Sequence, residues 1–139
     1  LWSDIRSDIA PRQSVAQDGS ITVPRGVDGH YHLTLGLNGE PIDFIVDTGA
    51  TDIVLTRADA ARAGIDLSDL AFTGIANTAN GQVRTARARI DTVTLGPVTD
   101  RSVPVSVNGG EMEGSLLGMT YLSRFERLEI SNGTLILER

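Results

Sequence analysis

A chain of 139 residues with 40% hydrophobic content has the size of one ordinary domain, able to bury about two-thirds of the surface that its unfolded form exposes. Its net charge of −6, with all twelve basic residues Arg, argues against nucleic acid, which selects basic faces. Cysteine is absent, which excludes disulfides, a thiol nucleophile and thiolate metal sites, and no run of about twenty apolar residues is present to span a membrane.

In chain order, residues 1–19 are polar with scattered apolar positions: Leu1, Trp2, Ile5 and Ile9 fall near a helical stripe that Pro11 interrupts. This segment reads as an N-terminal linker or juxtamembrane tail, leaving residues 20–139 as the folded domain. From Ile21 onward the signals are nearly all β. Ile21–Val23, Tyr31–Leu37 and Ile42–Val46 are strand candidates, and Asn38-Gly39 between the last two is a strong hairpin signal. His30 and His32 lie two apart and would share a strand face, but no third ligand of matching geometry is apparent, so no metal site and no cofactor are expected.

That hairpin leads directly into Asp47-Thr48-Gly49, a turn set between the apolar runs Phe44–Val46 and Ile53–Leu55. Thr48 can hydrogen-bond locally and Gly49 can adopt angles closed to other residues. Such a turn between buried strands holds its aspartate rigidly near the interior, as a catalytic carboxylate requires. A helix follows over Arg57–Ala63, capped by Thr56 and stopped at Gly64, with Asp59 and Arg62 as a solvated pair. Residues 72–90 read as a long hairpin with a small polar tip, Thr78-Ala79-Asn80-Gly81, and with Arg87 and Arg89 on one solvated face. Val93–Leu95 and Val103–Val107 continue the meander, and Glu111 and Glu113 mark a solvated acidic turn. Leu116-Leu117-Gly118 comes next, then a last hairpin through Asn132-Gly133. Its final strand, Thr134–Leu137, would present an open edge unless something covers it.

The pattern apolar-apolar-Asp47-Thr48-Gly49-Ala50-x-Asp52-x-Val54-Leu55 resembles the active-site segment of the retropepsins, the aspartic proteases typified by retroviral proteases. Leu116-Leu117-Gly118, followed by a short helical stretch about seventy residues downstream, is similar to a second retropepsin element. The tip Thr78–Gly81 falls where such proteases carry a flap, and the wording is similar to that of bacterial, membrane-associated members. Retroviral members usually have a second Asp after the Ala and an Arg after the downstream Gly; Thr51 and Met119 replace both, which leaves no buried charge without its partner.

The resemblance implies an all-β fold, a single-lobe closed barrel with one or two short helices, active as a homodimer because one chain carries one Asp-Thr-Gly. It implies an aspartic endopeptidase in which Asp47 from each chain activates a water. Thr48 and Gly49 would hold the active-site loop, with Thr48 bonded across the interface. Ala50, Asp52 and Val54 would line the groove for a protein or peptide substrate, and Thr78–Gly81 would close over it. The dimer would be joined through active-site loops and terminal strands. An N-terminal membrane anchor is expected to precede Leu1, which is not a Met, with a soluble protease domain in the periplasm. The alternative is a dimerisation or peptide-docking module that keeps this fold without the reaction.

Overall fold

The computed structural model describes residues 13–78 and 81–139. The elements are β1 (Ser14–Val15), β2 (Ile21–Pro24), β3 (His32–Leu37), β4 (Glu40–Val46), β5 (Ile53–Leu55), α1 (Arg57–Arg62), a 3-10 turn at Leu67–Asp69, β6 (Gly74–Thr78), β7 (Gly81–Leu95), β8 (Val98–Asn108), β9 (Ser115–Leu117), α2 (Met119–Leu122), β10 (Arg127–Ser131) and β11 (Thr134–Glu138).

Six strands in the order β3-β4-β9-β5-β8-β7 form a closed barrel, because β3 pairs with β4 along one edge and with β7 along the other. The closing seam is short, Gly36↔Thr94 and Leu37↔Val93. Asn38 extends it. Its backbone N–H donates to Thr92 O at 2.9 Å, its side-chain oxygen accepts from Thr92 N at 3.1 Å, and its amide donates to Ala63 O at 2.9 Å at the end of α1. The Asn38-Gly39 turn has positive φ at both residues, 51° and 86°, as a two-residue hairpin loop requires; Asn132-Gly133 repeats this at 53° and 75°. Asn38 therefore serves both as a turn residue and as a clamp on the barrel.

Alternation along the strands fills the interior. Leu33, Leu35 and Leu37 of β3, Ile42 and Phe44 of β4, and Val103, Val105 and Val107 of β8 all face inward and are buried. Burying such side chains stabilises the fold by about 1.5–3 kcal/mol each relative to exposure. The strand β7 runs unbroken for fifteen residues and turns into β8 at Gly96-Pro97, so the two strand candidates read in this region are parts of one long hairpin.

A second sheet, β1-β2-β11-β10, packs Ile21, Val23, Leu135 and Leu137 onto the same core. One expectation is corrected here. The final strand β11 is not an open edge, because β2 pairs with one side of it and β10 with the other; among the described residues the sheet's edges are β1 and β10. The stretch before residue 20 includes β1, whose residues pair with β2, and Gln13, which exchanges two hydrogen bonds with the Thr34 backbone at 2.7 and 2.9 Å.

The end of β11 is tied back to the barrel by charge. Arg139 donates to both oxygens of Asp100, at 3.1 and 2.6 Å, Arg124 approaches the same carboxylate at 3.4 Å, and the Arg139 guanidinium lies 4.6 Å from the centre of the Phe125 ring. These arginine hydrogen bonds hold the Asp100 carboxyl below its ordinary value. Burial, with the Asp100 charge beside it, pushes the Tyr121 phenol up to about 12. A carboxyl whose value is depressed in the folded state contributes stability above its unfolded value, 3.8, and that contribution is lost as pH falls through the folded value. Replacing Asp100→Asn should therefore destabilise the domain by about 1–2 kcal/mol at pH 7. In thermal melts, the gap between wild type and variant should close as pH is lowered from 5 to 2.

Candidate active site

The Asp47 turn is positioned by an inserted strand. β9 lies between β4 and β5, parallel to β4 (Ile45↔Leu116, Val46↔Leu117) and antiparallel to β5 (Ile53↔Leu117, Val54↔Leu116). The loop that joins β4 to β5 must therefore pass over the end of β9, and Asp47 stands at the start of that loop. Its backbone N–H donates to Leu117 O at 3.0 Å, its carbonyl accepts from Ala50 N at 3.1 Å, and its Oδ1 accepts from Gly49 N at 2.9 Å. Backbone and carboxylate are both held, yet Asp47 is only half-buried, and Thr48 and Gly49 are exposed.

The other end of the loop is fixed to the segment after β9. Met119 N donates to Ala50 O at 2.9 Å and Thr120 N to Thr51 O at 2.8 Å. The contact is so close that a Cβ on Gly118 would come within 2.8 Å of Ala50 O and Thr51 C, and nearer still to Asp52 O. Only a residue without a side chain lets the two backbones meet here. Backbone hydrogen bonds thus join the two segments at Thr51 and Met119, the positions where retroviral members usually have an Asp and an Arg. Met119 packs partly buried against the core and Thr51 is exposed.

A polar link lies beneath. Ser115, fully buried, donates to Asp59 Oδ2 at 2.6 Å and accepts from Thr56 N at 3.0 Å, while the Thr56 hydroxyl accepts from Asp59 N at 3.0 Å as the cap of α1. Asp59, expected to be half of a solvated pair, instead anchors α1 to β9; its contact with Arg62 is long, 3.7 Å. Sequence reading missed Ser115, because its partners lie 56 and 59 residues away.

Of the other residues singled out from sequence, Ala50, Asp52 and Val54 are partly buried along the loop and β5, and Leu116, Leu117 and Gly118 lie against that loop. The hairpin β6–β7 extends as an arm: among the described residues β6 pairs only with β7, and the Thr78 hydroxyl donates to Gly81 O at 2.7 Å across its tip. Ala79 and Asn80 lie outside the described residues. His32 Nε2 and Asp28 Oδ2 are 2.8 Å apart, a local pair rather than part of a cluster; no group of three or more His, Asp or Glu placed to hold a metal occurs among the described residues. Glu111 and Glu113 are exposed.

Residues 33–124 match the family model described as "gag-polyprotein putative aspartyl protease". A retropepsin-like aspartic protease from Rickettsia conorii, solved by crystallography, is 39% identical and superposes with a TM-score of 0.79 over 86% of this chain and 98% of that one. The chain belongs to the retropepsin-like aspartic protease family. Two more distant structures share the fold. The EIAV protease, solved with the inhibitor HBY-793, is 19% identical with a TM-score of 0.59 over 70% of this chain and 89% of its own. The retroviral protease-like domain of Ddi1 from Leishmania major is 16% identical with a TM-score of 0.53 over 78% and 93%. Among curated proteins, an uncharacterised Rickettsia prowazekii protein is 39% identical over 86% of this chain, and one from Sinorhizobium sp., encoded in the cobV 5′ region, is 35% identical over 84%. The chain spans about half the length of these curated relatives, 51% of each.

The close approach at Gly118 makes a direct test of this retropepsin architecture. Gly118→Ala should destabilise the domain by about 3 kcal/mol, because the obstructing atoms are backbone and cannot rotate away. Thr120→Ala, two residues on and exposed, should stay within about 0.5 kcal/mol. Urea unfolding of the two variants checks the contrast.

Proposed function

We propose that this chain is an aspartic endopeptidase whose active form is a homodimer, with Asp47 of two copies flanking one water. The observation that carries the reading is the state of Asp47: held through backbone and carboxylate alike, yet set at a surface with its neighbours Thr48 and Gly49 exposed. One chain supplies one such turn, so a pair of carboxylates needs a second copy. Two carboxylates a few ångströms apart hold one proton between them, since both cannot ionise together. The ionised Asp47 takes a proton from the water as its oxygen attacks the peptide carbonyl, and the protonated one donates to the carbonyl oxygen. The dyad then returns a proton to the amine nitrogen as the C–N bond breaks. The water supplies the nucleophile, so no cofactor enters the scheme.

In this reading Thr48 bonds across the interface and holds the two loops together, with Gly49 allowing their close approach. Ala50, Asp52 and Val54 line the groove, and the β6–β7 arm from Thr78 to Gly81 forms a flap that adds strand-like hydrogen bonds to an extended peptide. Exposed Ile75 on β6 supports that role for the arm. The terminal-strand contact falls to β10, whose edge is free and whose Ile130 is exposed, rather than to the enclosed β11. The catalytic unit comprises the domain from residue 20 onward, and β1 of the preceding segment adds a strand to its second sheet. No helix among the described residues is long and apolar enough to cross a membrane; the anchor and periplasmic setting are proposed on the likeness to membrane-associated members.

Cleavage of casein between pH 3 and 7, at several protein concentrations, tests the reading. Asp47→Asn should lower the rate by about 10³-fold, the size of a lost general acid–base group, with thermal melting nearly unchanged. Specific activity of the wild type should rise with concentration until the dimer saturates. Equal cleavage by wild type and variant would defeat the assignment. Peptide binding without cleavage at any concentration would make the chain a docking module.

A further inference from the structure

Away from the Asp47 turn, a groove of about 470 Å³ opens between the 3-10 turn and the root of the β6–β7 arm, lined by Arg57, Leu67, Ser68, Phe72, Arg84 and Gly109. That volume lies within the range of ligand clefts, about 300–1,000 Å³. Its walls are well defined. Gly109 N donates to Arg84 O at 2.8 Å, which fastens the loop after β8 onto β7, and a Cβ on Gly109 would come within 3.1 Å of the Phe72 ring. Leu67 and Phe72 are partly buried against the core and give the groove an apolar side.

Two arginines line this groove together. Arg62, Arg124, Arg127 and Arg139 each have a carboxylate partner, and Arg89 donates to Ser102. Among the described residues Arg57 and Arg84, like Arg25, Arg87 and Arg101, have no ion-pair partner; what distinguishes the first two is that they share one groove with an apolar wall. Arg57 makes one long contact, Nη1 to Gly109 O at 3.5 Å, and both residues are exposed. The nearby Asp66 uses its Oδ1 to accept from Ser68 N and Ser68 Oγ. Two guanidiniums beside an apolar wall suit a carboxylate with a hydrophobic neighbour, because a guanidinium binds a carboxylate through paired donors and stacks on apolar or aromatic surface.

We propose that this groove is an accessory binding site for an acidic segment of the polypeptide substrate, with Arg57 and Arg84 taking the carboxylates and Leu67 and Phe72 an adjacent apolar side chain. The word substrate rests on the protease reading above; the binding itself does not. The location favours a peptide occupant. Arg57 lies two residues beyond β5, the three-residue strand of about 10 Å that leads away from the loop holding Asp47. Arg84 stands opposite Ile75 on the arm. In this proposal an extended substrate runs from the Asp47 turn to the groove, making acidic residues some distance from the cleaved bond a determinant of specificity.

The test uses the full chain carrying Asp47→Asn, so that binding is read without cleavage. Two fluorescein-labelled peptides, Gly-Phe-Glu-Glu-Leu-Gly and its counterpart with Gln for both Glu, are titrated by anisotropy at low and high salt. The acidic peptide should bind at least ten-fold more tightly, and this preference should weaken with salt. Adding Arg57→Gln and Arg84→Gln should abolish the preference; Arg84→Gln alone, on an exposed strand position, should reduce it and serves if the double variant fails to fold. Equal binding of the two peptides, no binding of either, or a preference unchanged in the arginine variants would overturn the proposal. So would arginine-dependent binding to phosphatidylserine vesicles with no peptide preference. A chain that discriminates the peptides but never cleaves casein would retain the acidic-peptide site and lose the protease reading.

Discussion

The architecture depends on one insertion, that of β9 between the two strands joined by the Asp47 turn. Were β4 and β5 direct neighbours, the loop between them would be an ordinary hairpin, free to relax. With β9 between them, the loop must arch over the strand end, and three backbone hydrogen bonds from Asp47, Met119 and Thr120 fix that arch at both of its ends. The absence of a side chain at Gly118 sets how close the arch can come. The geometry of one half-buried carboxylate is thus set by segments about seventy residues apart in the chain.

Two polar links join distant segments of the fold. Ser115 joins β9 to α1 inside the molecule, where its hydroxyl is fully enclosed and both its partners are specified. Losing that hydroxyl would leave buried groups unsatisfied, a cost of about 1–3 kcal/mol. The Asp100–Arg139–Arg124 cluster lies nearer solvent and ties the last strand to the tip of the β7–β8 hairpin. Its contribution fades in acid as the Asp100 carboxyl is protonated.

Much of the local structure was legible in the sequence because its causes are local. Alternating Leu33, Leu35 and Leu37 marks a strand with one buried face, the two Asn-Gly pairs mark tight hairpins, and Thr56 and Gly64 bound the helix. The turn at Asp47 was equally legible, since Thr48 and Gly49 interrupt two apolar runs. Facts that depend on distant partners were hidden. Asn38 reads as a turn residue, and nothing near it announces hydrogen bonds to Thr92 and Ala63. Asp59 and Arg62 have the spacing of a helix-surface pair, and only the arrival of Ser115 turns that aspartate inward. The open edge expected at the last strand is closed by β2, more than a hundred residues earlier.

The enclosure of β11 bears on how two copies can associate. A strand that is already paired on both sides cannot take up a partner strand, so an intermolecular extension of this second sheet would have to form at β10 or β1, its edges among the described residues. Of these, β10 is the longer, five residues against two, and it carries the exposed Ile130. Its Arg127 bonds Glu129 on the same strand and Glu138 on β11, at 2.9 and 3.1 Å. In a two-fold antiparallel pairing centred on Leu128, Arg127 of one copy would face Glu129 of the other, so the ion pair now made within the strand could be exchanged for one between strands. Association would then bury apolar edge surface while leaving the charges matched.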